Sequence, residues 1–148
     1  MSRRVARELV LHMVFAHDYN GATPQELLRA LGDEQRFAAL AEESPVYKKM
    51  PPEEQRDYIT RATTGVIEHI PELDAYIEKY SVAWSVGRIT RISKAILRLC
   101  MYELLYLGIP VGASVNEALE LAKKYDSTES AGFINGILGA FVSKELNK

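Results

Sequence analysis

Apolar residues recur at intervals of three and four along most of the 148-residue chain, which is the pattern of amphipathic helices. Near the start, one face of a helical wheel carries Val5, Leu9, Met13 and Ala16, and a different face carries Arg4, Arg7, Leu11 and Phe15. Sustained alternation of apolar and polar residues, which marks a half-buried strand, does not occur in the sequence. The pattern therefore predicts an all-α fold.

Boundary residues divide this pattern into about seven helices. Ser2 is placed to cap the first helix, and Thr23 to Glu26 combine a cap, a proline at the first helical position and an acid three residues after the cap. The most apolar helix ends near Leu107 and is apolar nearly all round, as is typical of the central helix of a bundle. We expect one domain with two helical subdomains, 1–80 and 81–148.

Three glycines of the last predicted helix form a stripe. Together with a serine they recur at spacings of four, three and four, as Gly132, Gly136, Gly139 and Ser143, which leaves a smooth ridge on one helix face. The ridge predicts that another helix packs closely there, with the close approach of a ligand backbone as the alternative.

The net charge of −2 hides an uneven distribution of charges. Residues 1–17 hold three arginines and one acid, and residues 18–80 hold seven basic and thirteen acidic residues. Residues 81–148 hold eight basic and six acidic residues, and the stretch 81–102 contains no acid. Two basic clusters separated by an acidic middle point to an anionic partner, although a solvated helix face gives the same pattern.

Arg3, Arg4 and Arg7 are the strongest functional signal in the residues themselves. Positive charges at a helix beginning oppose the helix dipole and slightly reduce stability. Arginine is also the side chain suited to bidentate phosphate contacts and to stacking on bases. These arginines are therefore candidates for RNA contact, and a frayed polar terminus is the alternative.

Enzymatic and metal-binding motifs do not occur in the sequence, which has neither a GxxxxGK[ST] loop nor a GxSxG elbow. His12, His17 and His69 have no metal-binding partner at helical spacing, and no cofactor is predicted. The single Cys100 cannot form an internal disulfide, which favours a reducing cytosol. Glu103 lies among apolar residues, so we expect a local partner for its charge rather than a catalytic role. The longest apolar runs are too short to span a membrane.

Four segments and the arginine-rich start together resemble the NusB transcription antitermination family. The segments are Ile96–Leu104 (ILRLCMYEL), Ile109–Val111 (IPV), Val115–Lys123 (VNEALELAK) and Phe133–Leu138 (FINGIL). The resemblance covers the whole chain in order and length, is dense from Ser81 to Leu138, and rests on the combined series rather than on any single segment.

The resemblance implies a NusB-like helical bundle that is not an enzyme. Such a protein pairs with a small-subunit ribosomal protein, called NusE in this role, and the pair binds the boxA element of nascent RNA. The resulting complex helps RNA polymerase to read through terminators, notably in ribosomal RNA operons. Some family members form homodimers that hide the RNA surface.

Carried over by position, the resemblance implies six RNA-binding residues and two partner-binding residues. The RNA-binding residues are Arg3, Arg4 and Arg7, with Arg98, Lys123 and Phe133 as further candidates for the same basic surface. Phe15 stands near the ribosomal-protein contact where relatives often have tyrosine, and Ser93 stands where some relatives carry an acid.

Two alternatives keep the fold and change the function. The same helical domain begins some RNA cytosine methyltransferases, where it assists RNA binding, so the chain could be a detached relative of that accessory domain. A non-catalytic homodimeric scaffold that ignores RNA is the other alternative.

Overall fold

A computed structural model describes residues 2–42, 44–81 and 89–147, and helices dominate these ranges. They contain eight α-helices: α1 (Arg3–Asn20), α2 (Pro24–Leu28), α3 (Glu34–Ala39), α4 (Glu53–Glu68), α5 (Ile70–Tyr80), α6 (Arg91–Tyr102), α7 (Val111–Tyr125) and α8 (Thr128–Phe141). Turns of π-helix, Glu103–Leu107 and Val142–Leu146, extend α6 and α8. The described ranges contain no strand, so the all-α prediction is confirmed, with eight helices where the sequence predicted about seven.

Side-chain caps start the first two helices where the sequence predicted them. At α1, the Ser2 hydroxyl oxygen accepts a hydrogen bond from the Val5 backbone N–H at 3.2 Å. At α2, Thr23 accepts from the Glu26 backbone N–H at 3.1 Å, and the Glu26 carboxylate accepts from the Thr23 backbone N–H. These bonds satisfy backbone donors that a helix leaves unpaired at its beginning.

Glycines end two helical segments but do not form the expected packing ridge. Gly21 after α1 and Gly108 after the first π-helical turn have φ of 72° and 64°, a left-handed conformation that glycine adopts without strain. Gly132, Gly136 and Gly139 are exposed, and a methyl group on any of them would meet no described atom within 4 Å. The predicted close helix packing is therefore wrong for the described part of the chain, because α8 buries its other faces instead.

The first compact unit, Met1–Ile67, has α1 and α4 as its longest helices. Leu9 on α1 and Ile59 on α4 are fully buried. The Thr63 hydroxyl lies 3.7 Å from the Met13 sulfur, so these two helices touch inside the core. Because burying one large aliphatic side chain contributes about 1.5–3 kcal/mol, this core holds the beginning of α1 at a defined place beside α4.

The second compact unit, Glu68–Lys148, is built around α6. Every residue from Ala95 to Tyr102 is buried, because α5, α7 and α8 all pack against this helix. This confirms α6 as the central helix that its apolar sequence predicts. The sequence-based division at 80/81 assigned α5 to the first subdomain, whereas α5 packs on α6 and α8 of the second unit.

Glu103 has the local partner that its apolar setting required. Its side chain is fully buried, and its Oε1 accepts a hydrogen bond from the Ser114 hydroxyl at 2.8 Å. The same hydroxyl lies 3.3 Å from the sulfur of Cys100, which is a buried core residue. Hydrogen bonding offsets part of the cost of placing this carboxyl group in the interior.

Candidate nucleic-acid interface

The beginning of α1 brings the three predicted arginines together in unequal environments. Arg4 is exposed, Arg3 is half-buried, and Arg7 is only 5% exposed. Arg3 and Arg7 are four residues apart and share one helix face, whereas Arg4 is turned about 100° away from Arg3. Arg4 and part of Arg3 therefore form the accessible portion of the predicted arginine cluster.

Two residues of α4 hold the Arg3 side chain. Its Nε donates a hydrogen bond to Oε1 of Gln55 at 2.8 Å. Its Cζ lies 4.2 Å from the centroid of the Tyr58 ring, within the range of a cation–π contact. The guanidinium is thus fixed by an amide and an aromatic face, neither of which carries a charge.

Arg7 lies beneath this pair rather than on the surface. Its Cζ is 5.9 Å from the centroid of the same Tyr58 ring, close to the limit of a cation–π contact. Because Arg7 is buried, its guanidinium has little surface that a ligand could contact.

Phe15 lies about three turns beyond Arg4 on α1 and is half-buried. The sequence placed it on one face with Leu11, but Leu11 is fully buried. An exposed continuous stripe from the arginines to Phe15 is therefore absent from α1, and Phe15 forms a separate, partly accessible apolar position. Its role in partner binding stays a prediction.

Arg98 is committed to an internal ion pair. Its Nε and Nη2 donate to the two carboxylate oxygens of Asp74 on α5 at 2.7 and 2.8 Å. The arginine is 3% exposed, whereas the Asp74 side chain is 38% exposed. This bidentate geometry joins α5 to α6 and uses the edge that would otherwise bind a phosphate. Arg98 is therefore an interior residue of the second unit.

Ser93 is likewise an internal residue at the beginning of α6. Its hydroxyl donates to the Asp126 carboxylate at 2.8 Å, and the Thr90 hydroxyl donates to the same oxygen at 2.6 Å. Burial acts to raise the pKa of Asp126, but hydrogen bonds from Thr90, Ser93 and Ser130 outweigh it and hold the pKa below its ordinary value. Ser93 is fully buried, and its role in partner binding stays a prediction.

Lys123 and Phe133 differ in accessibility. Lys123 on α7 keeps about half of its side chain exposed and lies 3.5 Å from the Glu120 carboxylate. Phe133 on α8 is 7% exposed, so its ring contributes to the core of the second unit. Of the predicted RNA-binding residues in this unit, Lys123 is the one with an exposed charged group.

Gln55 and Tyr58 are the residues of this surface that sequence reasoning missed. In the sequence, Tyr58 shares helical spacing with Ala62 and Val66, which is typical of a core position. Gln55 has no distinguishing feature in the sequence. The spacing of three does place Gln55 and Tyr58 on one face of α4. The partner of that face is 52 residues away in sequence, and periodicity carries no information about such a pairing.

In the acid-free basic stretch 81–102, residues 82–88 lie outside the described residues, so the structure describes Ser81 and residues 89–102. Arg91 is exposed and Lys94 is half-buried. Within the described ranges, no group of three or more His, Cys, Asp or Glu residues could hold a metal ion. No helix among them is long and apolar enough to cross a membrane.

Comparison with known proteins assigns the whole chain to one family. A model of the NusB family matches residues 4–143. The chain belongs to the NusB family. The transcription antitermination protein NusB of Thermoanaerobacter sp. (strain X514) is 41% identical over 145 residues, covering 98% of this chain and 93% of that relative. The resemblance noted in the sequence is thereby confirmed, and the chain takes its place among NusB antitermination factors.

Solved structures extend the likeness to the NusB fold as a whole. A chain from the crystal structure of antitermination factors NusB and NusE in complex with double-stranded RNA matches with a TM-score of 0.75 at 27% identity. That match covers 95% of this chain and 96% of the other. A chain from the crystal structure of a plectonemic RNA supercoil matches with a TM-score of 0.80 at 26% identity, covering 100% and 99%.

Proposed function

We propose that this NusB-family chain is a non-catalytic, cytoplasmic RNA-binding factor. It pairs with ribosomal protein NusE, binds boxA-type RNA and promotes read-through by RNA polymerase, notably in ribosomal RNA operons. The observation that carries the proposal is the exposed Arg4 beside the half-buried Arg3 at the beginning of α1, in a chain similar to one crystallised with NusE and RNA.

The local electrostatics favour an anionic ligand at this surface. Arg4 is exposed at the positive end of the α1 dipole, where a cation is not needed for helix stability. The partners of the Arg3 side chain, Gln55 and Tyr58, are neutral, so they do not compensate its positive charge. Guanidinium groups match the geometry of phosphate oxygens, so phosphate groups of RNA are the anions proposed for this surface. Lys123 is proposed as a separate and weaker phosphate contact of the second unit.

The protein partner would be bound through different residues from the RNA. Phe15 offers a partly exposed aromatic ring, and aromatic rings are enriched among anchors of protein interfaces. Ser93 would act indirectly, by fixing the beginning of α6 through Asp126. The RNA polymerase complex would then be reached through the assembled pair.

Fluorescence anisotropy with labelled boxA-type RNA tests the proposal. The chain alone, NusE alone and the mixture are titrated at several salt concentrations, and the mixture is expected to bind most tightly. Arg4→Ala should weaken binding, whereas Arg29→Ala, at an exposed position in the first unit, is the matched control and should not.

Two results would overturn the proposal. One is equal RNA affinity of the wild type and Arg4→Ala at every salt concentration. The other is a stable homodimer in sedimentation that binds neither NusE nor RNA, which would favour the scaffold alternative. RNA binding that is tight without NusE and is not strengthened by it would favour an accessory domain of the methyltransferase type.

A further inference from the structure

Gln55 and Tyr58 of α4 determine which edge of the Arg3 guanidinium a ligand can meet. A guanidinium has five N–H donors, one on Nε and four on its two terminal nitrogens. Gln55 accepts the Nε–H at 2.8 Å, and the Tyr58 ring lies 4.2 Å from Cζ. The terminal-nitrogen edge of Arg3 has no hydrogen bond to any described residue.

The neutrality of both partners matters for what this edge can bind. Arg98 presents the contrasting case, since Asp74 occupies its donors and neutralises its charge. At Arg3 the amide of Gln55 fixes the side chain without a negative charge, and the buried Tyr58 ring supports one face. The Arg3 guanidinium is therefore held in place while it keeps its positive charge and the four N–H donors of its terminal nitrogens.

From this geometry we infer that Gln55 and Tyr58 are positioning residues for RNA binding. They hold Arg3 so that its two terminal nitrogens can receive two oxygens of one phosphate group side by side. The inference rests on the proposed RNA binding and adds α4 to the residues that determine it. An arginine immobilised before binding loses less conformational entropy, which corresponds to about a two- to tenfold gain in affinity.

A double-mutant cycle with boxA-type RNA tests this role. Gln55→Met removes the acceptor while keeping an unbranched side chain of high helix propensity. In the wild-type background it should weaken RNA binding about two- to tenfold. In the Arg3→Ala background it should have no effect, because the residue that it positions is gone. Gln35→Met, at an exposed position on α3, is the matched control and should bind like the wild type.

Substitutions of Tyr58 separate the ring from its hydroxyl group. Tyr58→Phe keeps the aromatic face and should bind RNA like the wild type. Tyr58→Leu keeps apolar volume and removes the cation–π contact, so it should weaken binding when Arg3 is present. An equal loss in the Arg3→Ala background, for either Gln55→Met or Tyr58→Leu, would overturn the inference.

Nuclear magnetic resonance of the arginine side chains gives a readout that does not depend on RNA. The Nε–H signal of Arg3 should be protected from exchange in the wild type and lose that protection in Gln55→Met. Absence of protection in the wild type overturns the inference directly. Protection with no RNA binding overturns the proposed function and this inference with it. RNA binding with additive effects in the cycle overturns the inference alone.

Discussion

Arg3 and Arg98 show how one side-chain type serves two purposes in the two units. Both use Nε to bind a residue on a neighbouring helix, at 2.8 Å for Gln55 and at 2.7 Å for Asp74. Arg98 pairs with a carboxylate through two nitrogens, is buried, and joins α5 to α6. Arg3 pairs with an amide through one nitrogen and stays half-exposed.

The partner therefore decides whether an arginine stabilises the fold or remains available to a ligand. A carboxylate neutralises the guanidinium and makes its burial tolerable, whereas an amide orients it and leaves its charge in place. The sequence does not identify these partners, because Gln55 lies 52 residues from Arg3 and Asp74 lies 24 residues from Arg98. The following experiments are ordered from the largest expected effect to the smallest.

Removal of the buried arginine should have the largest effect, and on stability alone. Arg98→Met deletes two charge-assisted hydrogen bonds and leaves Asp74 without this partner. Since hydrogen bonds to charged groups contribute about 1.5–3 kcal/mol, we expect the free energy of unfolding to fall by about 2–3 kcal/mol. Urea denaturation measures this loss, and the folded variant should bind RNA like the wild type. Unchanged stability together with weaker RNA binding would reverse the roles of the two arginines.

Removal of the exposed arginine should have the opposite signature. Arg4→Ala is expected to leave the unfolding free energy within about 0.5 kcal/mol of the wild type. It should weaken boxA-type RNA binding about tenfold, because a charge-assisted contact to phosphate is lost. Anisotropy titrations measure the affinity, with Arg29→Ala as the matched control. A destabilised Arg4→Ala with normal RNA affinity would show that this arginine serves the fold.

Acid should remove the stabilisation that Asp126 gives to the beginning of α6. Its folded-state pKa lies below the ordinary value of 3.8, so its hydrogen bonds stabilise the protein above that pH. This contribution is lost as the pH falls from 3.8 through the folded-state pKa. Thermal unfolding from about pH 6 to about pH 2.5 measures the difference in unfolding free energy between the wild type and Asp126→Asn. This difference should shrink as the pH falls from 3.8 through the folded-state pKa of Asp126. A difference in unfolding free energy that stays constant over this pH range would contradict the stabilising role of the Asp126 hydrogen bonds.

Lys123→Ala should have the smallest effect of the series. The lysine is exposed and pairs with Glu120 at 3.5 Å, and such surface pairs contribute about 0–1 kcal/mol. We expect little change in stability and a loss of RNA affinity smaller than that of Arg4→Ala, since an ammonium makes a single-point contact with phosphate. A loss as large as that of Arg4→Ala would move the centre of the RNA surface to the second unit.

Local sequence signals predicted the helices well. Ser2, Thr23 and Glu26 cap the helices that they were expected to cap, and Gly21 and Gly108 end the segments that precede them. These signals act within about four residues of the chain, so a single sequence contains them in full.

Long-range partners account for what the sequence could not predict. Asp74 lies 24 residues before Arg98, and nothing in the helical pattern pairs them. Gln55 lies 52 residues after Arg3, so its part in the candidate surface emerges only when α1 and α4 pack. The glycines of α8 were misjudged for a related reason, because spacing identifies a ridge but not the side of the helix that the core covers.

The salt dependence of RNA binding tests the central claim most directly. The slope of log K against log salt concentration counts the phosphates that a protein neutralises, at about 0.7–0.9 for each. For boxA-type RNA with NusE, we expect the slope of Arg3→Ala/Arg4→Ala to be shallower than the wild-type slope by about 1.4–1.8. Arg98→Met, measured where it remains folded, should keep the wild-type slope. An unchanged slope for the double variant, or a shallower slope for Arg98→Met, would contradict the account.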